Sequence, residues 1–142
     1  MDQLNTVIFY SIEKAIKTYR QFAQKQLKDA GLKITIDQWL IIKSIMDNPE
    51  ISQQEIAEKV FKDNASVTRI IELLVKAKYL KRTVNKEDKR RSNLIVTTEG
   101  EDIIDKVYAV VLNNREIALK GIKKNEIDIA SKVLNSIISN CN

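Results

Sequence analysis

Apolar residues recur every three or four positions between Leu4 and Leu27: Ile8, Ile12, Ala15, Ile16, Tyr19, Phe22, Ala23 and Leu27. That spacing predicts one long amphipathic helix, stopped by Gly31. A second stripe, Ile36, Trp39, Leu40, Ile42, Ile45 and Met46, predicts another helix. Thr35 and Gln38 fit a capping box at its start. Asn48-Pro49 closes it, because proline disfavours helix in the residue before it and donates no hydrogen bond. Ser52 and Glu55 fit a second capping box, opening a short helix through about Val60 with Ile56, Ala57 and Val60 inward. Asp63 or Asn64 caps the next helix, which runs to about Lys78. Val67, Ile70, Ile71, Leu74 and Val75 share one face of it. Ala65, Arg69, Glu72 and Lys76 lie opposite, flanked by Ser66 and Thr68.

The period then changes. Tyr79 to Val84 predicts a strand, Asn85 to Arg91 is wholly polar, and Asn93 to Thr97 is β-branched and apolar, the returning strand of a hairpin with a charged tip. Thr98 and Glu101 fit a capping box for a long helix, with Thr97 the alternative cap. Its stripe is Ile103, Ile104, Val107, Tyr108, Val111 and Leu112, and it bends or ends near Gly121. A last helix, capped near Asn125, carries Ile127, Ala130, Val133, Leu134, Ile137 and Ile138. The fold class is mainly α with a small β-hairpin (α+β). The 142 residues suit a single domain.

Composition narrows the chemistry. Hydrophobic residues make up 44% and charged residues 30%, which argues against a disordered chain. There is no His, which excludes a His-based triad, a His zinc site and an imidazole pH switch. The one cysteine, Cys141, allows no internal disulfide and no Cys cluster for a metal. There is no Gly-rich phosphate loop or evident catalytic carboxylate pair, so an enzyme is not expected. No apolar run approaches the ~20 residues that span a bilayer, and no signal peptide is evident. The expectation is a cytoplasmic protein with no membrane contact and no cofactor or metal.

The charge is uneven. The chain is +5 overall, yet Lys76 to Arg91 alone holds eight Lys and Arg against Glu87 and Asp88, a net +6. That concentration in a hairpin directly after a two-helix unit favours an anionic polymer as partner. Two short helices with a tight connection form a helix-turn-helix candidate, whose second helix can enter the DNA major groove. Residues at its start must be short or able to hydrogen-bond; Asn64, Ala65, Ser66, Thr68 and Arg69 meet that need. Arg69 suits guanine or a phosphate, and Asn64 suits adenine or the helix cap. Lys86, Lys89, Arg90 and Arg91 in the hairpin are placed to reach the adjacent minor groove. Asp88 among them either pairs with Arg90 and fixes the loop or stands as a solvent-exposed carboxylate worth little.

These pieces resemble the MarR family of winged helix-turn-helix transcription regulators. The resemblance rests on Ser52-Gln53-Gln54-Glu55-Ile56-Ala57, on Ser66-Val67-Thr68-Arg69-Ile70-Ile71 with Leu74, on Asp88-Lys89-Arg90-Arg91-Ser92, and on Val96-Thr97-Thr98-Glu99-Gly100. It covers essentially the whole chain. One departure is Lys78, where the family often has Gly; Lys there calls for a different turn, a strained positive φ or a slightly longer helix. The resemblance implies a winged lobe over 35–98 and dimerisation helices over 4–28 and 99–140. It implies a homodimeric, sequence-specific DNA-binding regulator, usually a repressor on a pseudo-palindromic operator. Surplus apolar surface on the first and last helices, including Val110, Val111 and Leu112 in sequence, agrees with a second subunit. Many members respond to a small aromatic or anionic effector, and by resemblance Tyr10, Tyr19, Trp39, Tyr108 and Arg115 are candidates to line its cleft, with core packing as their other role. Cys141 lies far from the N-terminal helix, where cysteine-based sensing would act. The competing reading is a helical protein-interaction module whose basic hairpin binds an acidic partner.

Overall fold

After a short 3₁₀ turn at Leu4–Thr6, the chain forms α1 (Ile8–Asp29), α2 (Ile36–Asp47), α3 (Gln53–Val60), α4 (Asn64–Lys76), the antiparallel hairpin β1 (Leu80–Val84) and β2 (Ser92–Val96), then α5 (Thr98–Ala118) and α6 (Lys124–Cys141). This computed structural model describes residues 1–88 and 92–142. Lys89, Arg90 and Arg91 lie outside the described residues. No helix is long and apolar enough to cross a membrane among the described residues.

Local chemistry starts and stops most of these elements. Thr35 Oγ1 accepts from the Gln38 N–H at 3.1 Å and Gln38 Oε1 accepts from the Thr35 N–H at 2.9 Å. Ser52 and Glu55 make the same reciprocal pair at 3.1 and 3.4 Å. Gly31, at φ +76°, ends α1: Leu32 N–H reaches the Leu27 carbonyl and Gly31 N–H the Lys28 carbonyl, both at 3.0 Å. The first helix begins later than the apolar spacing predicts, at Ile8, because Val7 is extended. The last begins at Lys124 rather than after Asn125, with Glu126 Oε1 accepting from the Lys123 N–H.

Two helix ends use the left-handed region without glycine. Phe61 ends α3 at φ +61°, and Lys78 follows α4 at φ +66°. Of the three outcomes open for Lys78, the structure adopts the positive φ, with Tyr79 N–H on the Leu74 carbonyl and Lys78 N–H on the Val75 carbonyl, each at 3.0 Å. α4 accordingly stops at Lys76, short of the expected end. A β-carbon in this region is strained. Lys78→Gly is expected to raise stability by roughly 0.5–1 kcal/mol, net of glycine's greater unfolded-state entropy. A higher urea midpoint at constant slope checks it; an unchanged or lower midpoint refutes the strain.

The core draws on every layer of the lobe. Ile41 and Ile42 of α2, Ile56 of α3, Val67, Ile71 and Leu74 of α4, Leu80 of β1 and Val107 of α5 are fully buried. Each such Val, Leu or Ile contributes roughly 1.5–3 kcal/mol through burial. α2 lies at the centre, against α1, α3, α4, α5 and β2. That is why Ile41, outside the predicted stripe, is buried: a helix enclosed on several sides needs apolar residues around more of its circumference. Met46, placed in that stripe, is exposed. Ser44 is buried there too, its hydroxyl donating to the Leu40 carbonyl at 2.6 Å.

Candidate nucleic-acid interface

The start of α4 is built by Asp63. Its backbone is extended and its Oδ1 accepts from the Ser66 N–H at 2.7 Å, so Asp63 is the cap. Asn64, for which capping and base contact stood open, is the first helical residue and not the cap. The hydrogen bonds from the Ser66 backbone and side chain hold the Asp63 carboxyl below its ordinary pKa, with desolvation opposing and Arg69 assisting. The lowered pKa means that this capping contribution is complete at neutral pH. It is lost only as pH falls through the folded-state value.

The predicted faces hold. Val67, Ile71 and Leu74 point into the core, while Asn64, Ala65 and Arg69 are exposed and Ser66 and Thr68 half-buried. The hydroxyls are more committed than the residue types suggest. Thr68 Oγ1 donates to the Asn64 carbonyl at 2.8 Å and accepts from Gln53 Nε2 at 2.6 Å. Ser66 Oγ donates to Asp63 Oδ2 at 3.1 Å and accepts from Arg69 Nη2 at 3.3 Å.

The hairpin is tied to both ends of its neighbours. Leu80 pairs with Val96 and Arg82 with Leu94. Leu80 is buried, and Leu94 and Val96 pack against the core, while Lys81 and Ile95 face outward and Arg82 and Asn93 are exposed. Thr97 caps α5 through its Oγ1, which accepts from Gly100 N–H at 3.0 Å, so the cap is Thr97 rather than Thr98. The same hydroxyl donates to the Lys78 carbonyl at 2.6 Å, and the Thr97 N–H donates to the Tyr79 carbonyl at 3.1 Å. At the tip, Asn85 Oδ1 accepts from the N–H groups of Glu87 and Asp88 at 2.9 and 3.2 Å. Lys86 is exposed. The pairing expected between Asp88 and Arg90 falls outside the described residues.

Sequence reasoning missed Gln53, Arg82, Asn85 and Asn93. They line a polar cleft of ≈ 220 Å³ between the start of α3 and the hairpin strands. Gln53 also donates to Thr68, so one side chain joins the start of α3 to α4 at the edge of that cleft. Asn85 had a signal, being a turn-former at a strand end; Gln53 had none.

Of the five residues named for an effector cleft, Tyr10 and Tyr19 come together. With Phe22, Lys14, Ile117 and others they line an apolar cleft of ≈ 640 Å³ between α1 and the end of α5. Trp39 packs against the core instead. Tyr108 and Arg115 do not line it. No group of His, Cys, Asp and Glu able to hold a metal occurs among the described residues.

Known proteins share this arrangement. The sequence profile of the MarR family matches residues 34–92. The HTH-type transcriptional regulator SarZ of Staphylococcus epidermidis is 29% identical over 101 residues, 71% of this chain and 64% of SarZ, so the chain covers less than two thirds of that relative's length. A mutant MarR from Escherichia coli, complexed with operator DNA, superposes with a TM-score of 0.84 at 22% identity, covering 96% of this chain and 99% of that one. BpsR of Bordetella bronchiseptica, whose DNA binding is regulated by 6-hydroxynicotinic acid, superposes with a TM-score of 0.86 at 17% identity, covering 96% of each. The structural likenesses fix the fold as a winged helix-turn-helix, and the MarR-family profile matches the part of it from residue 34 to residue 92.

Proposed function

We propose that the chain is a sequence-specific, double-stranded-DNA-binding transcription regulator, a repressor that acts as a homodimer in the cytoplasm and catalyses no reaction. One observation carries the reading: α4 buries Val67, Ile71 and Leu74 completely while exposing Asn64, Ala65 and Arg69 at the end that a major groove admits. The hairpin segment that follows that helix includes Lys86, Lys89, Arg90 and Arg91, cations suited to phosphates and to the neighbouring minor groove. SarZ and the MarR–operator complex support this reading.

Residues 35–98 serve as the reading lobe, and 4–28 and 99–140 as dimerisation helices. α6 buries none of its residues within the chain, yet Ile129, Val133, Leu134 and Ile138 are exposed along it. An apolar stripe left open in this way is stabilised by a second copy. A two-fold dimer then sets two α4 helices about 34–36 Å apart, or a multiple of that, to match a pseudo-palindrome. The cleft at Tyr10, Tyr19 and Phe22 has the size and lining for a small aromatic effector, with Lys14 to meet an anion.

Selection of bound duplexes from a random pool tests the function: enrichment of a two-fold-related motif is expected, and no enrichment overturns the reading. On the selected site, Arg69→Ala is expected to cost about 1–3 kcal/mol and to relax the preference at one base pair. An equal loss on every sequence reassigns Arg69 to a phosphate.

A further inference from the structure

We propose that Asp63 is a positioning residue for sequence discrimination, acting with Ser66 to set the geometry in which Arg69 meets a base pair. This rests on the DNA-reading function proposed above. The four polar side chains at the opening of α4 are not equivalent. Thr68 spends its hydroxyl proton on the Asn64 carbonyl and a lone pair on Gln53. Ser66 spends its proton on Asp63 Oδ2 and accepts from Arg69 Nη2. Directional reading therefore passes to Arg69 and to the amide of Asn64. A guanidinium has five donors in a planar fork, so one bond to Ser66 leaves enough for a two-pronged contact with guanine.

Two consequences follow for Arg69. Its side chain is drawn back along α4 toward Asp63, so it has less rotamer freedom to lose on docking. The carboxylate also offsets part of its charge. That weakens Arg69 as a general phosphate contact and leaves its directional donors intact, which favours reading over indiscriminate adhesion. Asp63 is ionised at neutral pH, its carboxyl being held below the ordinary range by Ser66.

Asp63→Asn separates this role from capping, because Asn caps helices as well as Asp. The intact protein, Asp63→Asn and Ser66→Ala are compared on the selected duplex and on a random duplex across a salt series, with denaturation midpoints measured in parallel. Asp63→Asn is expected to keep the midpoint, bind random duplex more tightly, and steepen its salt dependence by up to about one ion. The ratio of selected to random affinity is expected to fall about tenfold, the scale of one base contact. Ser66→Ala is expected to lower the ratio in the same direction. If wild type discriminates and both variants keep its ratio, Asp63 is a cap only and the inference falls while the DNA-reading function stands. If wild type itself prefers no sequence, that function falls and takes the inference with it.

Discussion

Gly100→Ala is expected to destabilise the protein by about 3 kcal/mol, at the upper end of small-to-large core substitutions. A β-carbon at Gly100 would lie 2.3 Å from the Tyr79 carbonyl oxygen and 2.9 Å from Val96 Cγ1. The first neighbour is backbone and cannot swing aside. That carbonyl also accepts the Thr97 N–H, and Lys78 beside it accepts the Thr97 hydroxyl. Any shift that relieves the clash therefore strains the seam joining the end of α4, the hairpin and the start of α5. The glycine is required by close approach and not by a left-handed backbone, since no positive φ occurs there. Urea denaturation of both proteins decides it; a change within about 0.5 kcal/mol, the range of ordinary surface substitutions, would mean that the seam yields freely.

Arg90→Ala with Arg91→Ala is expected to flatten the salt dependence of DNA binding by about two ions. The fall in affinity between 50 and 200 mM salt should then shrink about tenfold. The basis is charge: these two residues belong to a segment with net +6 in a chain of +5. Binding to random duplex should weaken with binding to the selected site, because phosphate contacts carry no sequence information. Anisotropy titrations across a salt series measure the slope. An unchanged slope removes the hairpin tip from the interface and leaves α4 to act alone.

Much of the framework was legible because it is written in short range. The capping boxes at Thr35–Gln38 and Ser52–Glu55 span three residues, so their partners are visible in the chain itself. The stripe through Val67, Ile71 and Leu74 follows from helical period alone, as does the exposure of Arg69 opposite. The hairpin declares itself by a change of period. Where two adjacent residues compete for one role, spacing is silent. Asp63 over Asn64 is settled by which backbone stays extended. Thr97 over Thr98 is settled by a hydroxyl that also donates to Lys78, nineteen positions away.

The sequence by itself determined the order of elements, the apolar and polar faces of α4, and the concentration of positive charge in the hairpin, because periodicity, capping and charge act between near neighbours. Only the tertiary structure decided that Ser66 and Thr68 spend their hydroxyls inside the protein, that Gln53 of α3 bonds Thr68 of α4, and that Gly100 admits no side chain. Each of those depends on atoms brought together by packing, and a hydrogen bond or a clash exists only once the distance is set.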